Sequence, residues 1–315
     1  MDLNDGGRKT GGMGSLACLL SAVGFGVMAV FAKLAYDDGV DLDALLLTRF
    51  GLAGLVLLVI AHARGRLRGL GRRAIVAGLL MGAVGYAAQA GLYFAALTRV
   101  DASEVALVFS IYPLLVMVMA VVTRRERATR RRAIGLVVAL TGVALVLGGA
   151  SAGTFDLAGA AFSLGSAVVY TTYILVGDRV AGTDPLAFAT LVCCGAFGTF
   201  AVWSVLHGVP DLGFAARGWL WLVLIALVST VGAILLFFAG LARVGPSVAA
   251  LLSIVEPVVT VSSAALVFGE SLSAQQALGG ALVLGTVLFV QWPAGPRAGT
   301  RSPAPQLEPE LRSAV

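Results

Sequence analysis

Charge is scarce in this chain. Asp, Glu, Lys and Arg make up 12% of its 315 residues, whereas an average soluble domain carries about a quarter. Hydrophobic residues make up 59%, and the mean hydropathy is +0.95. That balance excludes a soluble globule. Histidine is rarer still, limited to His62 and His207. The cysteines, Cys18, Cys193 and Cys194, all fall inside apolar runs, where they read as small packing residues rather than a disulfide framework or a metal site. No metal-ligand cluster or phosphate-cradling loop is visible, so neither a metal nor another cofactor is expected. The segment GASAG at 149–153 matches G-x-S-x-G, but Ser151 follows an apolar helix rather than a strand, so no nucleophile elbow is expected.

What the chain has in abundance is apolar runs of about twenty residues, each long enough to cross roughly 30 Å of hydrocarbon as a helix. Their charged or Gly/Pro breaks predict ten spans: 13–34, 44–63, 74–98, 102–123, 133–150, 157–177, 186–207, 218–240, 246–268 and 275–292. The expected fold is an all-α polytopic membrane protein embedded in the lipid bilayer. The first run is too long for the core of a signal peptide and reads as a spanning helix. Residues 1–12 form an N-terminal segment, and 293–315, rich in Pro, Ser and charge, have nothing to bury and are expected to be a disordered tail.

The net charge of +5 does not point to nucleic acid, because the basic residues sit in short connections between apolar runs. RGRLRGLGRR at 64–73 carries five arginines and RRERATRRR at 124–132 carries six. Eighteen of the 22 basic residues fall on one side of the expected topology. Lys/Arg excess in short loops marks the cytoplasmic side, so both termini are expected there, in a cell (plasma) membrane. Lys33, Arg99 and Arg217 lie near the opposite face, together with Asp37, Asp38, Asp41 and Asp43. His62 and His207 end their spans on opposite faces, which leaves an intramembrane enzyme without a base beside a nucleophile.

The chain also repeats itself. LYFAALTRVDASEVALVFSIYP ends at Pro113 and LLFFAGLARVGPSVAALLSIVEP at Pro257. The shift of 144 also pairs Arg99 with Arg243, Ser103 with Ser247, Glu126 with Glu270 and Gly135 with Gly279. A shift of 145 lays Ser21-Ala22-Val23 over Ser166-Ala167-Val168. The repeats are read as 13–150 and 157–292. Five spans per unit is an odd number, so the second copy enters the membrane upside down. The charges agree, since RRERATRRR in the first copy corresponds to FGESLSAQQ in the second, which has no Lys or Arg. Inverted repeats with a mid-membrane site at their interface are a signature of secondary transporters.

Pro113 and Pro257 cannot donate to the carbonyls of Phe109 and Ser253, so each predicts a helix break or hinge near mid-membrane. Freed backbone is tolerated there only against protein or a water-filled cavity. Glu256 sits beside one break, where the first copy has Tyr112. A carboxylate at that depth costs roughly 2.5 kcal/mol or more unless it is protonated, paired or facing water.

At these residues the chain resembles the EamA family of the drug/metabolite transporter superfamily. The resemblance rests on Thr48-Arg49-Phe50 in the second span, on "AL..V.AS.VAL......P" followed by a glutamate, and on "A..LL..EPV......FGE.L...Q..G" in the second half. It covers about residues 14–292. It implies a ten-helix, inverted-repeat carrier, of a kind that often exports amino acids or other small metabolites.

Candidate substrate-binding or coupling residues are Glu256, Arg49, Gln89, Tyr93, Tyr112, Tyr170, Tyr173 and Ser253. Glu256 reads as a substrate or proton-coupling group, against a protonated side chain bonding a neighbouring helix. Arg49 reads as an anchor for a carboxylate or a gating contact, or as a side chain snorkelling to the interface. Gln89, Tyr93 and Tyr86 share a helix face, and Tyr170 and Tyr173 sit together in the sixth span. Each such group lines a polar cavity or bonds another helix. Asp101 and Glu104 read as a capping box. The glycines of GFGVMA (24–29) and GLLMG (78–82) read as close helix contacts. The function expected is a secondary active exporter of a small organic solute such as an amino acid, with protons as the coupling ion. A facilitative exchanger and, further off, an intramembrane enzyme are the alternatives. Monomer and homodimer both accord with helices so rich in glycine.

Overall fold

The computed structural model describes residues 5–123, 130–148, 156–177 and 184–291. The arginine cluster at 124–129 with Glu126, Ser151, Arg179 and the tail from 292 lie outside the described residues. Every described element is helical: α1 Asp5–Gly26, α2 Met28–Asp37, α3 Leu42–Ala63, α4 Arg72–Leu80, α5 Ala87–Leu97, α6 Ala102–Phe109, α7 Tyr112–Val122, α8 Arg130–Gly148, α9 Leu157–Gly177, α10 Pro185–His207, α11 Ala216–Ala226, α12 Ala233–Val244, α13 Pro246–Ser253, α14 Val255–Phe268 and α15 Ala274–Gln291. π-helical segments join α4 to α5 (Met81–Tyr86) and α11 to α12 (Leu227–Gly232).

Seven helical stretches are long and apolar enough to cross a membrane: Gly12–Asp37, Leu42–Ala63, Arg72–Leu97, Ala102–Met119, Leu157–Gly177, Pro185–His207 and Ala216–Val244. Ala133–Gly148, Val255–Phe268 and Ala274–Phe289 are shorter apolar helices. The chain is therefore a multi-pass helical membrane protein. One expected span is short for a visible reason: the run from 246 to 268 is cut at Ile254, between α13 and α14. Outward faces are apolar as well, as at Leu266, which is 87% exposed. A helix apolar on all sides suits hydrocarbon.

Local chemistry sets the helix limits. Asp41 caps α3 by accepting from the Ala44 N–H at 2.6 Å. Asp184 caps α10, accepting from Leu186 and Ala187 at 3.1 Å each, with Pro185 in the first turn where no N–H is needed. Gly269 ends α14 in the left-handed region at φ +68°, which costs a residue without Cβ little.

The repeat appears as matched structure. The two helix breaks fall at repeat-equivalent positions, and the two π segments lie within two residues of the same register. Ser21 Oγ donates to the Ala233 carbonyl at 2.7 Å, and Ser166 Oγ donates to the Gln89 carbonyl at 3.1 Å. These bonds are repeat counterparts, one joining α1 to α12 and the other α9 to α5. The α3–α10 and α8–α15 pairs complete the most extensive packing. Glycines bring backbones together, as the GLLMG reading expects: a Cβ on Gly82 would lie 2.0 Å from the Val192 carbonyl oxygen, and one on Gly78 would lie 2.8 Å from Leu191 Cβ. In α8 and α15, a Cβ on Gly142 would lie 2.7 Å from the Gly279 oxygen.

The two ends of the bundle differ in charge. At the end away from the arginine-rich connections, each of the three basic side chains meets an acid: Lys33 with Asp101 at 3.4 Å, Arg99 with Asp156 at 3.0 Å, and Arg217 with Asp38 at 3.8 Å. The Gly159 N–H and the Arg99 guanidinium hold Asp156 below the usual carboxylate range.

Candidate functional site

In both halves the helix is interrupted a few residues before the proline. α6 gives way to α7 at Ser110 and Ile111, where the Ile111 N–H reaches back three residues to Val108 and the Leu114 N–H to Ile111. Pro113 then starts α7 with no N–H to offer Phe109. In the second half α13 stops at Ser253 and α14 restarts at Val255, two residues before Pro257.

Between these breaks lies a cavity of about 510 Å³, lined among others by Tyr93, Phe109, Tyr112, Tyr170, Ser253 and Glu256, with Pro113 and Pro257 also on its wall. Its remaining walls come from the arginine-end halves of α7, α9, α12 and α15, through Val116, Ile174, Phe237, Leu284 and Val287. Among the described lining residues Glu256 carries the only carboxylic acid, and there is no lysine, arginine or histidine. No hydrogen bond or ion pair engages its carboxylate among the described residues.

The aromatic side chains form a chain of touching rings. Tyr93 meets Phe109 edge-on at 5.3 Å between centroids, Phe109 lies 5.2 Å from Tyr112 and 5.5 Å from Tyr170, and Tyr112 meets Tyr170 edge-on at 4.8 Å. Tyr173 continues the row, stacked 5.9 Å from Tyr170, and touches Tyr86 at 5.6 Å. Such contacts fix ring orientation.

A smaller pocket of about 80 Å³ adjoins this wall, shared by Tyr93, Tyr112, Tyr170 and Glu256 and extended by Arg49, Tyr86 and Gln89. Arg49 is 2% exposed, so the snorkelling reading does not hold. Its Nε donates to Thr230 Oγ1 at 3.0 Å, inside the second π segment, and its guanidinium lies 4.9 Å from the ring centres of both Phe50 and Phe94. Gln89 Nε2 donates to Ser166 Oγ at 3.2 Å, tying α5 to α9. Gly26, in the GFGVMA segment, lets α1 approach α14 beside the acid: a Cβ there would lie 2.8 Å from the Glu256 carbonyl oxygen, and Thr260 Oγ1 donates to the Gly26 carbonyl at 2.8 Å.

The structure corrects the capping-box reading at Asp101 and Glu104. Asp101 has N-cap backbone geometry but makes no side-chain cap bond, because Glu270 occupies that role from 168 residues away in sequence. Its Oε1 accepts from the Ala102 N–H at 3.1 Å, and its Oε2 accepts from the Ser103 N–H at 3.1 Å and Ser103 Oγ at 2.6 Å. Lys33 Nζ stands 3.6 Å from the same carboxylate, and Glu104 is bonded by Gln276. This cluster ties α2, α6 and the α14–α15 connection together at the acidic end, beside a vestibule of about 600 Å³ lined by Lys33, Tyr36, Asp101 and Glu270. In the sequence Glu270 stands out only as the repeat counterpart of Glu126.

A helical bundle made twice from one pattern, with a buried acid on the wall of a cavity between two broken helices, has the architecture of a membrane transporter. Residues 12–148 and 157–292 each match the EamA-like transporter family, and the chain belongs to that family, within the drug/metabolite transporter superfamily. It is similar to "Uncharacterized transporter YcbK" of Bacillus subtilis (strain 168), 26% identical over 291 residues that cover 88% of this chain and 91% of that protein. A solved structure described only as the crystal structure of a protein shares the fold, with a TM-score of 0.64 and 21% identity over 88% of this chain and 96% of the other.

Proposed function

We propose that this transporter is a secondary active exporter of a small organic solute, an amino acid or a similar metabolite, working by alternating access between two inverted five-span halves. In this reading the chain crosses a plasma membrane ten times, with the arginine-rich end and both termini in the cytoplasm. The observation that carries it is Glu256, a carboxylate without a hydrogen-bond or ion-pair partner among the described residues, on the wall of the cavity between α6–α7 and α13–α14. A buried acid facing a cavity takes up a proton or a cationic group and releases it when the surroundings change, which suits proton antiport. Tyr93, Tyr112, Tyr170 and the Arg49 side chain are among the polar and charged groups that share its pockets.

The arrangement of closures supports alternating access. The acidic end is held by Glu270 and Lys33, while the cavity extends into the halves of α7, α9 and α15 nearer the arginine-rich connections. Two weakened helices at repeat-equivalent positions supply hinges that absorb a change of backbone direction. The test is flux of a pooled metabolite set, rich in amino acids, in proteoliposomes with an imposed pH difference, comparing wild type with Glu256→Gln. Substrate-specific, pH-driven accumulation that the variant loses is the expected result. Transport indifferent to the pH difference in both proteins would replace antiport by facilitated exchange.

A further inference from the structure

The two pockets around Glu256 divide their charges unequally. Arg49 does not line the larger cavity, and its guanidinium is already engaged by Thr230 Oγ1 and by the faces of Phe50 and Phe94. Glu256 lines both pockets, and no hydrogen bond or ion pair engages its carboxylate among the described residues. A solute in the larger cavity therefore meets one negative group, no positive one, and a wall of aromatic rings. Aromatic faces attract cations and repel anions, because the ring quadrupole places negative charge above the plane. The hydroxyls of Ser110 and Ser253, on the same wall, donate to carbonyls four residues back, Ala106 and Ala249, at 2.7 and 3.0 Å, and that of Thr260 donates across to the Gly26 carbonyl of α1 at 2.8 Å. They compete little for a solute's acceptor groups. Phe237, Ile254, Leu284 and Val287 supply apolar surface farther along.

We infer that this cavity recognises a cationic nitrogen carried on an apolar body, a primary or quaternary organic ammonium, with the nitrogen against Glu256 and the rings of Phe109, Tyr112 and Tyr170. The inference rests on the proposed use of this cavity as the solute site and narrows it: a carboxylate on the solute is not what the large cavity reads. The volume, about 510 Å³, lies within the range of about 300–1,000 Å³ that small-molecule sites occupy. Amines without a carboxylate fit this wall, amino acids fit through their ammonium group, and organic acids without an amine do not.

The experiment is calorimetric binding to the full-length purified protein in lipid nanodiscs at mildly alkaline pH. Four probes share one phenyl body: 2-phenylethylammonium, phenylalanine, 2-phenylethanol and 3-phenylpropionate. The ammonium is expected to bind at least about tenfold more tightly than the alcohol, a preference worth about 1.4 kcal/mol, with the acid weakest. Glu256→Gln is expected to erase the preference and Glu256→Asp to retain part of it. Tyr112→Leu, with unchanged thermal stability, is expected to weaken ammonium binding about threefold to fivefold, the size of one cation–π contact. Phenylpropionate binding as tightly as the ammonium, an ammonium preference that persists in a folded Glu256→Gln protein, or no measurable ammonium binding would each overturn the inference. Flux separates it from the carrier reading. Cation-selective binding with no flux of any solute would sink the carrier and leave the inference, whereas metabolite flux without a cation preference would do the reverse.

Discussion

Glu270→Gln is the substitution that probes the closure at the acidic end most directly. In the wild type two carboxylate oxygens accept from Ala102 N, Ser103 N and Ser103 Oγ at 3.1, 3.1 and 2.6 Å, and Lys33 stands 3.6 Å away. The Glu270 side chain is 7% exposed, so water replaces these bonds poorly while the end is shut. Glutamine keeps one acceptor, turns an NH₂ toward backbone N–H groups, and loses the attraction of Lys33. Bonds to a charged group contribute about 1.5–3 kcal/mol each against about 1 for neutral ones, so the closed state loses on the order of 2–3 kcal/mol. At tenfold per 1.4 kcal/mol, the ratio of open to closed at this end rises about 30- to 150-fold. The assay replaces Cys18, Cys193 and Cys194 with alanine, installs Ser110→Cys on the cavity wall, and follows labelling by an impermeant maleimide applied at the acidic end of oriented vesicles. Labelling is expected to speed up by at least an order of magnitude in the variant. An unchanged rate in a folded protein would mean that Glu270 caps a helix without holding the end closed.

Gly82→Ala places a Cβ about 2 Å from the Val192 carbonyl oxygen, against backbone that cannot yield cheaply; it is expected to cost about 1–3 kcal/mol, read as a lower thermal midpoint in detergent. Gly26→Ala crowds the Glu256 carbonyl and is expected to reduce substrate binding at least about tenfold, checked by calorimetry against a melting curve that moves far less. Arg49→Lys keeps the charge but loses the planar stack on Phe50 and Phe94 and the Nε bond to Thr230, and a stability loss of about 1–3 kcal/mol in chemical denaturation is expected. Thiol labelling of the native protein is expected to reach Cys194 before Cys18 or Cys193, which are both 1% exposed, with mass spectrometry as the readout.

Legibility in the sequence followed the range of the physics involved. Pro113 and Pro257 act on their own helices through a missing N–H, so their breaks could be read from position alone. Glycine contacts at 78–82 were readable because a helix face of small residues has few uses other than close approach. The Glu270 bonds were not readable as caps, since they join residues 168 apart, and the local D-x-x-E pattern at Asp101 offered a nearer candidate for the same N–H groups. Arg49 looked close enough to a helix end to reach the interface. Burial between two phenylalanines depends on how α3, α5 and α11–α12 converge, which no local pattern encodes. The π segments left no trace because an extra residue per turn needs no particular side chain, although Thr230, donating five residues back to Ile225 at 2.9 Å, marks one of them in the structure. Around Glu256 the charge was legible and its surroundings were not. The aromatic wall comes from α5, α6, α7 and α9 meeting in space.

The helix pairs divide into two kinds under the repeat. α1 with α12 corresponds to α9 with α5, so these two contacts are each other's image, while α3 with α10 and α8 with α15 are their own. When two such halves trade conformations, an imaged contact must take the geometry its counterpart had, but a self-imaged contact is the same before and after. In the α8–α15 seam Gly142 and Gly279 leave backbone against backbone, with Val283 and Leu145 packed beside them. Under the alternating-access proposal this seam is the stationary axle, and the traffic of shape change falls on the four helices whose serines tie them pairwise, α1 to α12 and α9 to α5.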